Sequence, residues 1–246
     1  VELSQAYFRR LTDIMSRVAA SDIPMDHPYL RLQDEPRQVG LVLVAGDRGL
    51  CGGCNTAVLR LANQFISNAD SPVVLMPIGA KAVAHVRRNG WDTLETFSLL
   101  RDVQEPHLAS QIAHAIRSRF DDGSVDSLHI IYSHFVSAAR HEPTREQLLP
   151  ISNELEKPVM AVEYICEPDA VELFNTLLPM ATEARLRYHL LQSLASEHAA
   201  RMVAMTTSAD NAEKMEASMV RELNRARQQR ITDEVLEVVS GAEALG

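Results

Sequence analysis

Basic residues are in deficit in this chain: 24 Lys and Arg stand against 33 Asp and Glu, for a formal net charge of -9. That balance excludes general nucleic-acid binding, which needs basic surface to displace counterions. Cysteine is scarce, with Cys51, Cys54 and Cys166 the only three, too few for the disulfide framework of a small secreted domain. Long apolar runs are also missing. The longest strongly apolar stretch, residues 39–45, is strand-sized, so no transmembrane helix is expected. Aromatic residues make up only 5% of the chain, but overall hydrophobic content is ordinary and suffices for one compact domain plus an extension.

The most telling absence lies in the last quarter, where residues 180–240 contain neither glycine nor proline. Alanine, leucine, methionine, glutamate, glutamine and arginine fill most of that span, which predicts one uninterrupted helix. At the helical rise it would be roughly 90 Å long, more than a domain of this size can cover, and so a mechanical or scaffolding part. Pro179 stands where a first-turn proline fits and Gly241 where a stop fits. Glu183 with Arg187 and Glu197 with Arg201 are oppositely charged pairs at i,i+4, and Arg221 with Arg225 gives one face a basic cast. Met205, Ala212, Met219 and Ala226 step by sevens, with Ala209 and Leu223 four residues beyond two of them. This is a coiled-coil seam, but Glu216 and Arg230 interrupt it, so a partner packs here without a tight zipper.

At the other end, Leu3, Tyr7, Leu11, Ile14, Met15 and Val18 recur at three- and four-residue spacing, a helix rather than a signal peptide. The chain opens at Val1 inside that pattern, which suggests a helix that once extended further. Between the two helices, strand 39–45, helix 56–67, strand 72–78 and helix 80–88 alternate as in a parallel α/β sheet, the last helix ended by Asn89 and Gly90. A helix over 108–120 follows, then strands over 127–136, 147–151 and 159–165, the first pairing antiparallel with its successor. Pro168 is expected to open a short helix ending before Pro179. The plan is an α/β domain over residues 37–178, between an N-terminal helix over 1–21 and a long C-terminal helix over 179–246.

Between the first strand and its helix lies Gly46-Asp47-Arg48-Gly49-Leu50-Cys51-Gly52-Gly53, the place where phosphate sites occur in such folds. Neither G-x-G-x-x-G spacing nor a Gly-Lys-Ser/Thr end is present, so the glycines are read as serving tight turning and close helix approach. Cys51 and Cys54 form a Cys-x-x-Cys near a helix start, where the dipole favours a reactive thiolate. The plainer reading is two small, semi-buried residues. The histidines are scattered, without an evident nucleophile at a known spacing, and no cofactor or metal pattern is found. A non-enzymatic part is favoured, with a nucleotide-binding or redox α/β protein as the alternative.

The turn from Asp47 to Gly53 resembles that after the first strand of the gamma subunit of F-type ATP synthases. The stretch Ile231-Thr232-Asp233-Glu234-Val235-Leu236-Glu237-Val238-Val239-Ser240-Gly241-Ala242 is similar to that family's C-terminal signature. Glu142-Pro143-Thr144, Gln147-Leu148-Leu149-Pro150, Glu167-Pro168 and the run from Ser196 to Met205 match as well. The resemblance implies a Rossmann-like α/β domain inserted between N- and C-terminal helices that wind into an antiparallel coiled coil. It also implies a non-catalytic rotor whose shaft turns inside a hexamer of alpha and beta subunits, with its foot near the epsilon subunit and the c-ring. The expected location is peripheral, on the cytoplasmic face of a bacterial inner membrane or the matrix face in a mitochondrion. Arg201, Arg227, Gln228 and Thr232 match positions that touch the beta subunits in that family. Two departures stand out: the family's first helix starts well before the position of Val1, and Cys54 replaces what is commonly an apolar residue.

Overall fold

The computed structural model describes residues 6, 7, 10, 11, 14, 28–30, 36–97, 106–151 and 170–243. Its elements are β1 (Val39–Val44), α1 (Cys54–Ser67), β2 (Val73–Ile78), α2 (Ala80–Asn89), α3 (Pro106–Asp121), β3 (Ser127–Ser137), β4 (Arg140–Leu149) and α4 (Ala170–Glu243), with a 3-10 turn at Pro28–Leu30. The four strands form one sheet in the order β2-β1-β3-β4. β1 pairs in parallel with both β2 and β3, while β4 runs antiparallel to β3. The expected α/β class and the antiparallel extension both hold.

Strand β1 is buried at every position, as a central parallel strand covered on both faces must be. Successive side chains leave opposite faces, so Val42 and Val44 enter one core and Leu41 and Leu43 another. The first core is closed by Ile112, Ala113 and Ile116 of α3 and by Leu178, Ala181, Leu186, Leu190 and Leu194 of α4. The second is closed by Val58 and Ala62 of α1 and by Ala82 and Val86 of α2.

The outer edge of β2 is occupied by the segment after α2. Leu75 donates to the Asp92 carbonyl at 3.0 Å and accepts from Leu94 N at 3.0 Å, and Pro77 O accepts from Phe97 N at 2.9 Å. Pro77 sits in the strand with its missing N–H on that outer side, where proline does not interrupt the ladder to β1.

Four expectations are corrected. Helix α4 begins at Ala170, so Pro179 lies inside it and does not start it, and no separate short helix ends before Pro179. Leu177, Leu178, Ala181 and Ala184 bracket the proline and bury into the first core, and that packing outweighs the roughly 3 kcal/mol cost of an interior proline. Gly241 does not end the helix, which continues to Glu243. Strand β4 starts at Arg140, not 147, because the β3 ladder carries the polar stretch Arg140 to Glu146 that has no apolar alternation of its own. The expected strand at 159–165 and the role of Pro168 lie outside the described residues.

Two compact units partition the chain, Val1–Met202 and Val203–Gly246. The first contains the sheet and the buried part of α4. In the second, the helix is exposed almost throughout.

Candidate functional site

The turn at residues 46–53 is fixed from three sides. Gly46 N donates to Asn55 Oδ1 at 2.8 Å, and Asn55 Nδ2 donates to Arg48 O at 3.2 Å, tying the turn to the first turn of α1. Asp47 Oδ1 accepts from Ala80 N at 3.0 Å, a carboxylate on an amide at the start of α2. From α4, the Arg201 guanidinium donates to the Glu197 carboxylate and, through Nε, to Gly49 O at 3.3 Å. Glu197 also accepts from Arg48 N at 3.4 Å. A side chain at position 46 would displace the Glu197 carboxylate from its place against the turn, so glycine lets that carboxylate approach closely. Leu50 and Gly52 take positive φ, 62° and 56°, and the Leu50 side chain is 75% exposed.

Cys51 and Cys54 are both buried and pack with Ala200. Burial pushes the Cys54 thiol above its ordinary range, against the lowering by the hydrogen bond with Ser133 and the Arg201 charge. A thiol held protonated is a poor nucleophile. Both cysteines are held in local contacts: Cys54 Sγ lies 3.4 Å from Ser133 Oγ, and Cys51 Sγ accepts from Asn55 Nδ2 at 3.2 Å.

Above the turn, α4 is clamped to β3 and β4 by a polar seam that local sequence reading missed. Ser196 Oγ donates to Ser133 O at 3.0 Å, and Phe135 N donates to Gln192 Oε1 at 3.0 Å. Tyr132 OH donates to Glu146 Oε1 at 2.6 Å, and Arg185 reaches Glu146 Oε2 at 3.5 Å. His189 is enclosed beside them, its ring 4.5 Å from that of Tyr132. Burial, opposed by the Glu146 charge, pushes its pKa down to about 3. Thr182, Arg185, His189, Gln192 and Ser196 recur at steps of three and four and are all buried, so polar residues at helical spacing were the available signal.

In the second unit, Arg227, Gln228 and Thr232 are exposed on α4. Thr232 Oγ1 donates to Gln228 O at 2.9 Å, a bond within the helix that leaves the Gln228 amide facing solvent. On the same helix Met219 is 60% and Leu223 69% exposed, an apolar stripe along the expected seam. Arg201, grouped with these residues from sequence, belongs to the first unit and is engaged with the turn.

The family model described as ATP synthase matches residues 1–245. The chain is 38% identical over 242 residues to the ATP synthase gamma chain of Desulfitobacterium hafniense, covering 98% of this chain and 85% of that one. The chain belongs to the ATP synthase gamma-chain family. Another gamma chain, from Pelotomaculum thermopropionicum, is 35% identical over 98% of this chain and 85% of its own length. Among solved structures, the central stalk and c-ring assembly of the Tetrahymena thermophila mitochondrial ATP synthase contains a chain with TM-score 0.61 and 25% identity, covering 82% of this chain and 85% of that one. A chain of the Euglena gracilis mitochondrial ATP synthase shares the fold at TM-score 0.61 and 18% identity, over 99% of this chain and 87% of its own. Gamma chains are non-catalytic parts of a membrane-associated complex. The nucleotide-binding or redox alternative is not favoured. No described helix here is long and apolar enough to cross a membrane.

Proposed function

We propose that this gamma chain is the central-stalk rotor of its ATP synthase, carrying torque between ion flow in the membrane sector and ATP chemistry in an alpha-beta hexamer. The observation that carries this reading is the combination in α4 of a buried first part and an exposed second part. Residues 177–200 are locked to the sheet, while residues 203–241 offer an apolar stripe and polar groups to partners. Arg201, Arg227, Gln228 and Thr232 make the contacts with beta subunits, and polar groups suit contacts that form and release as a shaft turns. The foot meets the epsilon subunit and the c-ring, on the cytoplasmic face of a bacterial inner membrane or the mitochondrial matrix face.

The test reconstitutes the chain with alpha and beta subunits and compares wild type with Arg227→Ala/Gln228→Ala. Arg201 is spared because it also holds the turn. Losing charge-assisted hydrogen bonds of about 1.5–3 kcal/mol each is expected to lower ATP turnover severalfold while assembly persists. Wild-type turnover with wild-type assembly would refute the contact assignment.

A further inference from the structure

The Cys-Gly-Gly-Cys turn at 51–54 has no part in the rotor role. Both thiols are free, and both belong to one small buried cluster with Ala200. Cys54 N donates to Cys51 O at 3.3 Å, which closes a tight turn across the four residues. Such a turn holds its outer Cα atoms within about 7 Å, the separation that a disulfide spans. Two glycines stand between the cysteines. Gly52 has a φ of 56°, and a β-carbon at either glycine would meet nothing within 4 Å. The turn therefore has the backbone freedom and the open space to bring its two sulfurs together.

The two sulfurs are not equivalent. Cys51, although only 3% exposed, lines a cleft of about 320 Å³ between the turn and α2. Asn55, Lys81 and Arg88 share that lining, and among the described residues no carboxylate does. A small uncharged oxidant reaches Cys51 by this route. Cys54 does not line the cleft and lies instead 3.4 Å from Ser133 Oγ of β3, where burial holds its thiol above the ordinary range. The sulfur at the cleft is the one to react first, and its enclosed neighbour is placed to resolve what forms.

We infer that Cys51 and Cys54 are a peroxide-responsive pair that closes to an intramolecular disulfide. The Cys51 thiolate attacks one oxygen of hydrogen peroxide: an S–O bond forms, the O–O bond breaks, and hydroxide leaves with the proton Cys51 gave up, as water. The Cys54 sulfur then attacks the Cys51 sulfur. The S–S bond forms, the S–O bond breaks, and the departing hydroxide takes the Cys54 proton and leaves as a second water. Two electrons have passed from the two sulfurs to the peroxide. Because the turn makes the second step intramolecular, a thiol too weak to start the reaction can finish it. Closure stops Cys51 at a reversible stage, short of sulfinic acid.

The test treats the reduced full chain with hydrogen peroxide, blocks remaining thiols with N-ethylmaleimide and maps the tryptic peptides. Cleavage after Arg48 and Arg60 releases both cysteines on one peptide, 49–60, apart from Cys166. That peptide is expected to be lighter by two hydrogens, closed to N-ethylmaleimide and reopened by dithiothreitol. In Cys54→Ser, Cys51 is expected to accumulate as sulfenic acid trapped by dimedone. In Cys51→Ser, the same label on Cys54 is expected to form at least about tenfold more slowly. The inference is overturned if the folded wild-type chain keeps both thiols open at a peroxide dose that pairs them in urea. It is overturned equally if Cys51 goes on to sulfinic acid unpaired, if the bridge forms to Cys166 or to a second chain, or if the two variants label at equal rates.

Discussion

Glu197 is held on three sides, by the Arg201 guanidinium, by Arg48 N and by the bare Cα of Gly46, and its side chain is 6% exposed. Glu197→Gln keeps the shape but removes the charge, leaving a partly buried guanidinium without its counterion. The expected loss is about 1–3 kcal/mol in urea unfolding, and an unchanged midpoint would show that the pair is ordinary surface. His189 sets a pH dependence whose sign follows from its environment. Its folded pKa of about 3 lies below the unfolded value near 6.5, so between those limits the unfolded chain binds the extra proton. Its contribution to stability is therefore complete above pH 6.5 and is lost as pH falls towards 3, at up to about 1.4 kcal/mol per pH unit. His189→Phe is expected to flatten that slope in unfolding measured across the window; an identical slope would place the titrating group elsewhere.

Among the elements, α4 is the one whose local chemistry and observed course disagree. Pro179 lacks the N–H that an interior position uses, so Pro179→Ala restores a donor while loosening the unfolded chain. A net gain of about 1–2 kcal/mol is expected, read as a higher Tm; a lower one would show that the ring's own packing matters more. Such a case marks where sequence reasoning stops. β1, α2 with its left-handed Gly90 and the turn at 46–53 were legible because each carries its signal within a few residues: a buried apolar run, a helix stop, a glycine cluster. β4 was partly missed because its polar half is a strand only by pairing with β3. The bond from Arg201 to Gly49 spans 152 positions, and only the i,i+4 pair with Glu197 hinted that Arg201 had work within the chain. The left-handed Leu50 had no local signal, since leucine there is disfavoured and persists only where its surroundings fix the turn.

Taken whole, the molecule divides its stability unevenly between its two units. Amides over residues 177–200 lie beside a packed core, whereas those over 203–241 are flanked by solvent. Hydrogen exchange on the isolated chain is expected to be at least about a hundredfold slower in the first stretch. Uniform protection along α4 would contradict the division at residue 202. The edge of β2 has a further consequence for a subunit that exists unpartnered before it is assembled. An open strand edge recruits copies of itself, and a nascent rotor chain would be lost to sheet-to-sheet polymerisation. Here Leu75 has spent both its edge groups on residues 92 and 94, and Pro77 offers no donor at all. On that flank the free subunit has little template to give a second copy, and most of its exposed large apolar side chains lie instead along α4.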